Sequence, residues 1–363
     1  MCRPSQDRDR CCRVLAVSEY HGMVVISQPS ANPLFPGFGA RRFNLLDQKL
    51  GSFVGLGKEV VRDLAFHPVT PELLLSCGQE RVVRVTNMVS CSEVVRWTTE
   101  AEVWACAWAG PHAPGQVYLG TKRSQVLVHS TTAPPGTPPL TLTFPGAERR
   151  PVVGVASVSP APSHGLPLPG LLSLTLGSLW FWEHNPAQAT FTPHKLPTPP
   201  DRTFWSLEYD ESTRLILLVC RPGPLATHLV LELTSTVLET GARVVTTNQI
   251  MRLEGGSYSA RSACIHNRRS ISTSVLTALH FRSFLRSCLL VPSKEEGRVL
   301  VAYSRGTGQG DTTVAVAELP TGRMLQELRL ASPVLDIKTA TVNDQVYLSV
   351  LGETELSMFK MEQ

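Results

Sequence analysis

Charged residues and helical patterns are scarce in this chain of 363 residues. Asp, Glu, Lys and Arg make up 18% of it, and apolar residues show only faint helical periodicity. Proline (28) and glycine (26) are frequent instead, which indicates a protein rich in turns. The 34 basic and 30 acidic residues leave a net charge of +4, too small a surplus to indicate nucleic-acid binding by itself. We therefore do not expect direct contact with DNA.

Motifs for zinc binding, secretion and membrane insertion are also absent from the sequence. The nine cysteines form no C-x-x-C pair, so the paired ligands of zinc ribbons and RING fingers are lacking. The sequence has no Asn-x-Ser/Thr acceptor and no apolar N-terminal signal, which favours a reducing cytosolic or nuclear compartment. The uncharged stretch 151–182 is broken by prolines and glycines. We therefore interpret it as two buried strands and a loop, and we expect no membrane partner.

Patterns typical of catalysis are weak. The loop GTGQGD (306–311) resembles a phosphate cradle, but a strand is predicted after it, whereas a phosphate needs the N-terminal amides of a helix. No G-x-S-x-G elbow supports a nucleophile. We therefore expect no catalytic residue, no metal ligand and no cofactor in this chain.

The sequence does contain a repeat of apolar six-residue stretches. Each stretch is followed by a second and a third apolar run, bounded by Gly, Pro or Ser as strands are. Seven such triplets, each with room for a fourth outer strand, predict an all-β fold, a seven-bladed WD-repeat-like β-propeller. The seven blades are predicted to begin near residues 12, 61, 103, 152, 204, 275 and 334.

The repeats lack the Trp-Asp pair and the Gly-His start of regular WD repeats. In regular blades a His, a Ser or Thr, an Asp and a Trp form a buried polar network, which specifies a structure only when every member is satisfied. We therefore predict that this network is dismantled here and that packing alone holds the blades. Three third strands carry other residues at the Trp-Asp position: Thr86-Asn87, Trp182-Glu183 and Ala317-Glu318.

The two ends of the chain bear on how the ring closes. A propeller usually completes its last blade with a strand from the N-terminus. Residues 1–10 are polar and charged, and make a poor strand. We therefore predict a polar tail at 1–10 and a propeller over 11–362 whose closing blade is incomplete. The ring is then weakly closed, or the chain is a fragment or divergent copy whose closing strand lies elsewhere.

An ordered set of short strings runs through the chain. The strings are CCRV (11–14), SQPS (27–30), PGFG (36–39), LLLS leading into TN (73–87), VWACAW (103–108), FWE (181–183), RP (221–222) and PVLDI (333–337). Over residues 11–362 they resemble the C-terminal propeller of RING-finger and WD-repeat ubiquitin ligases that target replication protein A. The set includes the atypical Thr-Asn pair, which makes the resemblance fairly specific.

This resemblance implies the substrate-recognition part of a RING-type ubiquitin ligase. Its implied setting is the nucleus, with the cytoplasm as an alternative, in DNA-damage response and repair of interstrand crosslinks and stalled forks. Its implied partners are replication protein A, the associated recombinase and other ubiquitination substrates. The family's RING and coiled coil are absent from this sequence. Zinc and the ubiquitin-conjugating enzyme would bind only to that RING, and not to this chain. The alternative is a non-catalytic, diverged scaffold propeller that binds another protein.

The second residue of each six-residue stretch is predicted to stand at the mouth of the central channel. Since Trp and Arg are enriched at binding hot spots, we predict Arg62, Trp104 and Trp205 as partner contacts. The alternative is that the two tryptophans pack between blades. Basic pairs such as Arg149-Arg150 are typical of a solvated face, or else form a rim for an acidic partner or for DNA phosphates.

Overall fold

A computed structural model of the chain describes residues 14–134, 136–146, 149–221, 225–237, 239, 243–257, 288–290, 299–306, 312–352 and 355–361. Within these ranges the chain forms 27 strands and one short 3-10 helix, Pro162–His164. Over the same residues, no helix has the length and apolar character needed to cross a membrane.

The strands form seven antiparallel sheets, which are the blades, and each blade uses strands that follow one another along the chain. Six blades have four strands and the seventh has three among the described residues. The strands of blades one to three are β1 Leu15–Ser18, β2 Met23–Pro29, β3 Phe38–Asn44 and β4 Leu50–Gly57; β5 Val61–Phe66, β6 Leu73–Gly78, β7 Val82–Asn87 and β8 Ser92–Thr98; β9 Val103–Trp108, β10 Gln116–Thr121, β11 Gln125–Ser130 and β12 Leu140–Thr143.

The remaining four blades repeat this arrangement. Their strands are β13 Val152–Val158, β14 Gly170–Thr175, β15 Leu179–Asn185 and β16 Thr190–Leu196; β17 Thr203–Asp210, β18 Leu215–Arg221, β19 Leu225–Val237 and β20 Arg243–Ser257; β21 Cys288–Leu290, β22 Val299–Gly306, β23 Thr312–Leu319 and β24 Met324–Leu330; β25 Val334–Val342, β26 Gln345–Gly352 and β27 Leu356–Lys360. The predicted all-β, seven-bladed propeller is therefore confirmed.

Burial along the strands follows their position in the blade. Second strands such as β14 are buried on both faces, because each blade packs between two others, and their sequences read as continuous apolar runs. Fourth strands such as β8 and β24 are mostly exposed. The hydrophobic core consequently lies between blades, near the axis of the ring.

One predicted blade start lies outside the described residues. The sixth blade was expected to begin near 275, and residues 275–280 are not among those that the structure describes. The described inner strand of this blade is β21, which pairs with β22 and lies between β17 and β25. The predicted start near 275 therefore stays a prediction.

Seven hydrophobic clusters hold the ring together, and each joins neighbouring blades. One of them packs Leu15 and Ile26 of blade one against Leu335 and Leu351 of blade seven. The ring thus closes through apolar packing between its first and last blades.

Carboxylates add a polar link between neighbouring blades. Leu15 N donates to Asp336 Oδ2 at 2.8 Å across the junction of blades seven and one, and Cys106 N donates to Asp63 Oδ2 at 2.9 Å between blades two and three. Asp336 is fully buried and also accepts from Ile337 N at 2.9 Å. The prediction that packing alone holds the blades is therefore wrong.

Part of the WD network also survives in blade four. Trp182 Nε1 donates to Ser173 Oγ at 2.8 Å, with both side chains buried. The adjacent Glu183 accepts from Arg243 Nη2 of blade five and has His194 Nε2 at 3.4 Å. The predicted dismantling of the WD network is thus incomplete, because the Trp182–Ser173 hydrogen bond remains. Glu183 stands where regular blades have Asp, and it forms an ion pair with the neighbouring blade instead.

The Thr-Asn pair that ends the third strand of blade two has a structural role. Asn87 Oδ1 accepts from Val89 N at 2.9 Å and from Ser90 N at 3.0 Å, and so caps the turn between β7 and β8. Asn44 Oδ1 caps the corresponding turn of blade one by accepting from Leu46 N at 2.8 Å. The side-chain amide therefore supplies the turn that follows the third strand.

The seventh blade ends at β27, which pairs with β26 only, among the described residues. Residues 1–13, which include the predicted polar tail, lie outside the described residues. The predicted weakness of ring closure therefore stays a prediction, to be weighed against the packing and the Asp336 link between blades seven and one.

Candidate protein-binding face

Two kinds of connection lie at the same end of the propeller. One is the turn between the second and third strands of a blade, and the other is the segment that leads into a first strand. They share this end because successive strands of a blade run in opposite directions. Lys122 N donates to Glu102 O at 2.9 Å in blade three, and Leu176 N donates to Pro151 O at 3.2 Å in blade four. We call this end of the propeller the entry face. The predicted contact residues lie near it, at the starts of first strands.

Two of the predicted contact residues lie against each other. The guanidinium carbon of Arg62, on β5, is 4.1 Å from the ring centroid of Trp104, on β9. This is a cation–π contact between blades two and three. Arg62 is 4% exposed and Trp104 is 5% exposed, so neither side chain offers much area to a partner.

A carboxylate connects this stack to the surface. Trp104 Nε1 donates to Glu102 Oε2 at 3.1 Å, and Lys122 Nζ donates to Glu102 Oε1 at 2.8 Å. Burial raises the pKa of Glu102, but the hydrogen bonds from Lys122 and Trp104 and the charges of Lys122 and Arg62 outweigh it, so its pKa lies below the ordinary value. Glu102 is therefore held ionised, with Lys122 as the exposed end of the cluster.

A groove opens beside blade four, where the segment 197–202 leads into blade five. Its volume is about 770 Å³, within the size range of ligand sites. Arg150, Lys195 and Arg202 line it together with a single acidic residue, Asp201. The groove is therefore basic and lies at the entry face.

Comparison with known proteins identifies the family of this propeller. The family described as "E3 ubiquitin-protein ligase RFWD3 WD40 domain" matches residues 6–360, nearly the whole chain.

The chain belongs to this RFWD3 family.

Curated relatives agree with the family match. The Homo sapiens and Mus musculus proteins named E3 ubiquitin-protein ligase RFWD3 are each 25% identical to this chain, over 357 and 360 residues. Each alignment covers 97% of this chain and 42% of the relative. The chain thus spans less than half the length of these RFWD3 proteins, and the match is to the WD40 domain.

A solved structure supports the fold alone. The crystal structure of the Myceliophteria thermophila Cps50 (Swd1) β-propeller domain superposes with a TM-score of 0.61 at 10% identity. It covers 97% of this chain and 96% of that one. This likeness supports the β-propeller fold of the RFWD3-type chain.

The structure brings two of the three predicted contact residues of this RFWD3-type propeller together. Arg62 and Trp104 form the buried stack, which favours the alternative of packing between blades. Trp205 lies on β17 of blade five and is half-buried. The contact role of all three residues stays a prediction.

Sequence reasoning missed most of the basic groove. The pair Arg149-Arg150 drew attention because the residues are adjacent, but Lys195 and Arg202 are isolated in sequence. The proline-rich segment between them, PTPP at 197–200, is the signal that could have pointed to a rigid groove wall. Within the described ranges, no group of three or more His, Cys, Asp or Glu side chains could hold a metal ion.

Proposed function

We propose that this chain is the substrate-recognition propeller of an RFWD3-type, RING-dependent ubiquitin ligase. In this proposal it binds replication protein A, the associated recombinase and other ubiquitination substrates. The setting is the nucleus, with the cytoplasm as an alternative, during the DNA-damage response and the repair of crosslinks and stalled forks. Ubiquitin transfer itself belongs to a RING, since this chain is expected to carry no catalytic residue.

The observation that carries the proposal is the family match over residues 6–360. It coincides with the propeller, and the relatives that share it are named ubiquitin-protein ligases. A propeller supplies a rigid ring on which loops present side chains, and its function must come from those surface sites. The entry face carries both a half-buried tryptophan, Trp205, and a basic groove.

Direct binding tests the proposal. Purified chain is titrated into fluorescently labelled replication protein A, and anisotropy is measured with and without single-stranded DNA. The proposal predicts saturable binding at micromolar or tighter affinity, as for other specific protein contacts. Absence of saturable binding by the folded chain in both conditions would count against replication protein A as the partner.

Trp205 is tested with a matched tryptophan. Trp205→Ala is expected to weaken binding of replication protein A by about tenfold, as at a hot spot. Trp97→Ala is the control, because Trp97 is also half-buried but lies on the outer strand β8 of blade two. Equal affinity of the folded Trp205→Ala and Trp97→Ala variants would remove Trp205 from the site.

The alternative is a non-catalytic scaffold that binds a protein without delivering ubiquitin. The 25% identity to the named ligases leaves room for such divergence. Sequencing the transcript upstream of this region discriminates the two, since a ligase requires a RING-coding segment there. A transcript without a RING, together with retained partner binding, would favour the scaffold.

A further inference from the structure

The basic groove at the entry face holds three cations and few acids. Among the described residues, the side chains of Arg150, Lys195 and Arg202 make no ion pair. Arg202 Nη1 is buried and has no hydrogen-bond acceptor within the described part of the chain. The three cations of the groove have no carboxylate partner among the described residues, so an anion bound between them would be stabilised by charge-assisted contacts.

The cations are held in place by their surroundings. Ser124 Oγ, from blade three, donates to Arg150 O at 2.6 Å and fixes the backbone at that point. Lys195 Nζ lies 5.9 Å from the ring centroid of Trp180, a cation–π contact that orients the ammonium group. The groove is therefore built by four elements, which are Arg150 before β13, the turn at Gly177, the end of β16 and the segment 197–203.

Gly177 determines where the Arg150 side chain lies. A Cβ atom at position 177 would overlap Nη1 of Arg150 and would come within 2.9 Å of its Cδ. The turn beneath is fixed, because Gly177 N and Ser178 N both donate to Thr175 Oγ1, at 3.1 Å and 2.9 Å. The guanidinium therefore lies across a bare backbone, and any side chain at 177 would displace it.

The walls of the groove favour a peptide over a nucleic acid. Its lining contains no aromatic side chain among the described residues, so it offers no platform for stacking bases. Three prolines, Pro197, Pro199 and Pro200, form one wall. Proline rings present apolar surface and a preordered backbone, which an extended peptide can follow at low entropic cost.

We propose that this groove binds an acidic, extended peptide segment of a protein partner through Arg150, Lys195 and Arg202. The inference deepens the proposed function, because the segment would belong to a recognised substrate, but peptide binding can hold whether or not that substrate is replication protein A. Charge complementarity identifies the ligand class: three cations face a groove that contains one carboxylate, Asp201.

The test uses the whole purified chain and a fluorescein-labelled octapeptide of alternating Asp and Glu. We expect saturable binding that weakens as salt rises. The triple variant Arg150→Gln, Lys195→Gln, Arg202→Gln is expected to bind about tenfold more weakly or worse. Asp201→Asn is expected to bind severalfold more tightly. Circular dichroism and thermal unfolding verify that each variant is folded.

A matched triple variant controls for net charge. Lys49→Gln, Arg329→Gln, Lys360→Gln removes the same charge from exposed positions on blades one, six and seven, and should bind as the wild type does. Gly177→Ala is the second probe, since it leaves the charge unchanged and displaces Arg150. It is expected to weaken peptide binding severalfold, and it tests the groove even if the triple variant does not fold.

Three results would overturn the proposal. The first is absence of peptide binding to the wild type, and the second is equal weakening of peptide binding in the two triple variants. The third is that the three cations bind single-stranded oligothymidylate but not the acidic peptide. Titration of replication protein A in parallel keeps the two proposals apart. If the chain binds the acidic peptide but not replication protein A, the result counts only against the proposed partner. If it binds replication protein A but not the peptide, the result counts only against the groove.

Discussion

At the residue scale, single side chains take over the task of the WD network. Asp63 and Asp336 stand third in their six-residue stretches, and each accepts the backbone amide of the fourth residue in the stretch of the next blade. Asn87 stands where regular repeats have the Asp of the Trp-Asp pair, and its side chain caps the turn that follows. The contribution of each of these side chains to stability should therefore be individually measurable.

Asp336→Ala should destabilise the ring at its closing junction. The substitution leaves the buried amides of Leu15 and Ile337 without their acceptor, which costs about 1–3 kcal/mol of the free energy of unfolding. Urea unfolding measures the loss. Asp63→Ala is the matched variant between blades two and three, and only Asp336→Ala should speed amide exchange at Leu15. Wild-type stability of Asp336→Ala would show that the carboxylate does not support closure.

Asn87 tests what the Thr-Asn ending contributes. Asn87→Ala removes the acceptor of two turn amides and should lower the free energy of unfolding by about 1 kcal/mol. Asn87→Asp keeps an acceptor at the same place and should retain most of the stability. Thermal unfolding compares the two variants, and equal destabilisation by both would rule out the capping role.

Residue types were easier to predict than residue partners. Trp182 and Glu183 stand out in the sequence, but their partners Ser173 and Arg243 lie on other strands. Likewise, Arg62 and Trp104 both look like contact residues, although together they form a buried stack. A contact between blades depends on the rotation between neighbouring sheets. The periodicity of residues along one strand gives no information about that rotation.

At the element scale, strand periodicity was a reliable guide. The predicted second and third strands overlap the observed ones in all seven blades, although their ends differ by a few residues, because apolar runs bounded by turn residues have few other solutions. In the sixth blade the described inner strand is β21, which pairs with β22, and the stretch predicted to begin that blade, 275–280, lies outside the described residues.

The edge of blade seven makes a prediction about amide exchange. Met361 N bonds to Val346 O, so in β27 the amides of residues 357, 359 and 361 face β26, and those of residues 356, 358 and 360 face away. If no further strand covers β27, the second set should exchange much faster than the first. Hydrogen–deuterium exchange followed by NMR resolves them. Equal, strong protection of both sets would contradict weak closure and indicate a fourth strand.

At the scale of the whole molecule, buried histidines should make stability depend on pH. His228 is fully buried, and burial lowers its pKa to about 4. Burial also lowers the pKa of His67, His112, His129 and His184. Because the folded-state pKa is lowered, each histidine binds fewer protons in the fold than in the unfolded chain once the pH falls below about 6.5, the ordinary histidine value. Stability contributed by neutral burial is thus complete above pH 6.5 and declines as the pH falls.

His228 should account for a measurable part of this decline. The free energy of unfolding should fall as the pH is lowered from 6.5 to 5. The substitution His228→Gln should reduce the slope of this decline by up to about 1.4 kcal/mol per pH unit. This window lies above the range where Glu80 and Glu102 titrate, since their pKa values are lowered. His164→Gln, at an exposed position, is the control. An unchanged slope in His228→Gln would mean that this histidine is not held neutral.

Two faces of the propeller could compete for a partner. The entry face carries the basic groove, Trp205 and the exposed Leu34 and Phe35, and the opposite end exposes apolar side chains in other connections of blades one and two. Tyr20 is 83% exposed, Val69 is 70% exposed and Val89 is 62% exposed. Exposed apolar residues also occur singly on soluble proteins, so they do not by themselves define a site.

The most direct test of the account maps the partner on the propeller. Hydrogen–deuterium exchange by mass spectrometry is measured on the purified chain alone and saturated with replication protein A. A substrate-recognition propeller that works through its entry face predicts new protection at 99–102, 122–124, 176–178 and 197–203. Protection confined to the opposite connections, 19–22, 67–72 and 88–91, or no change at saturating concentration, would contradict the account.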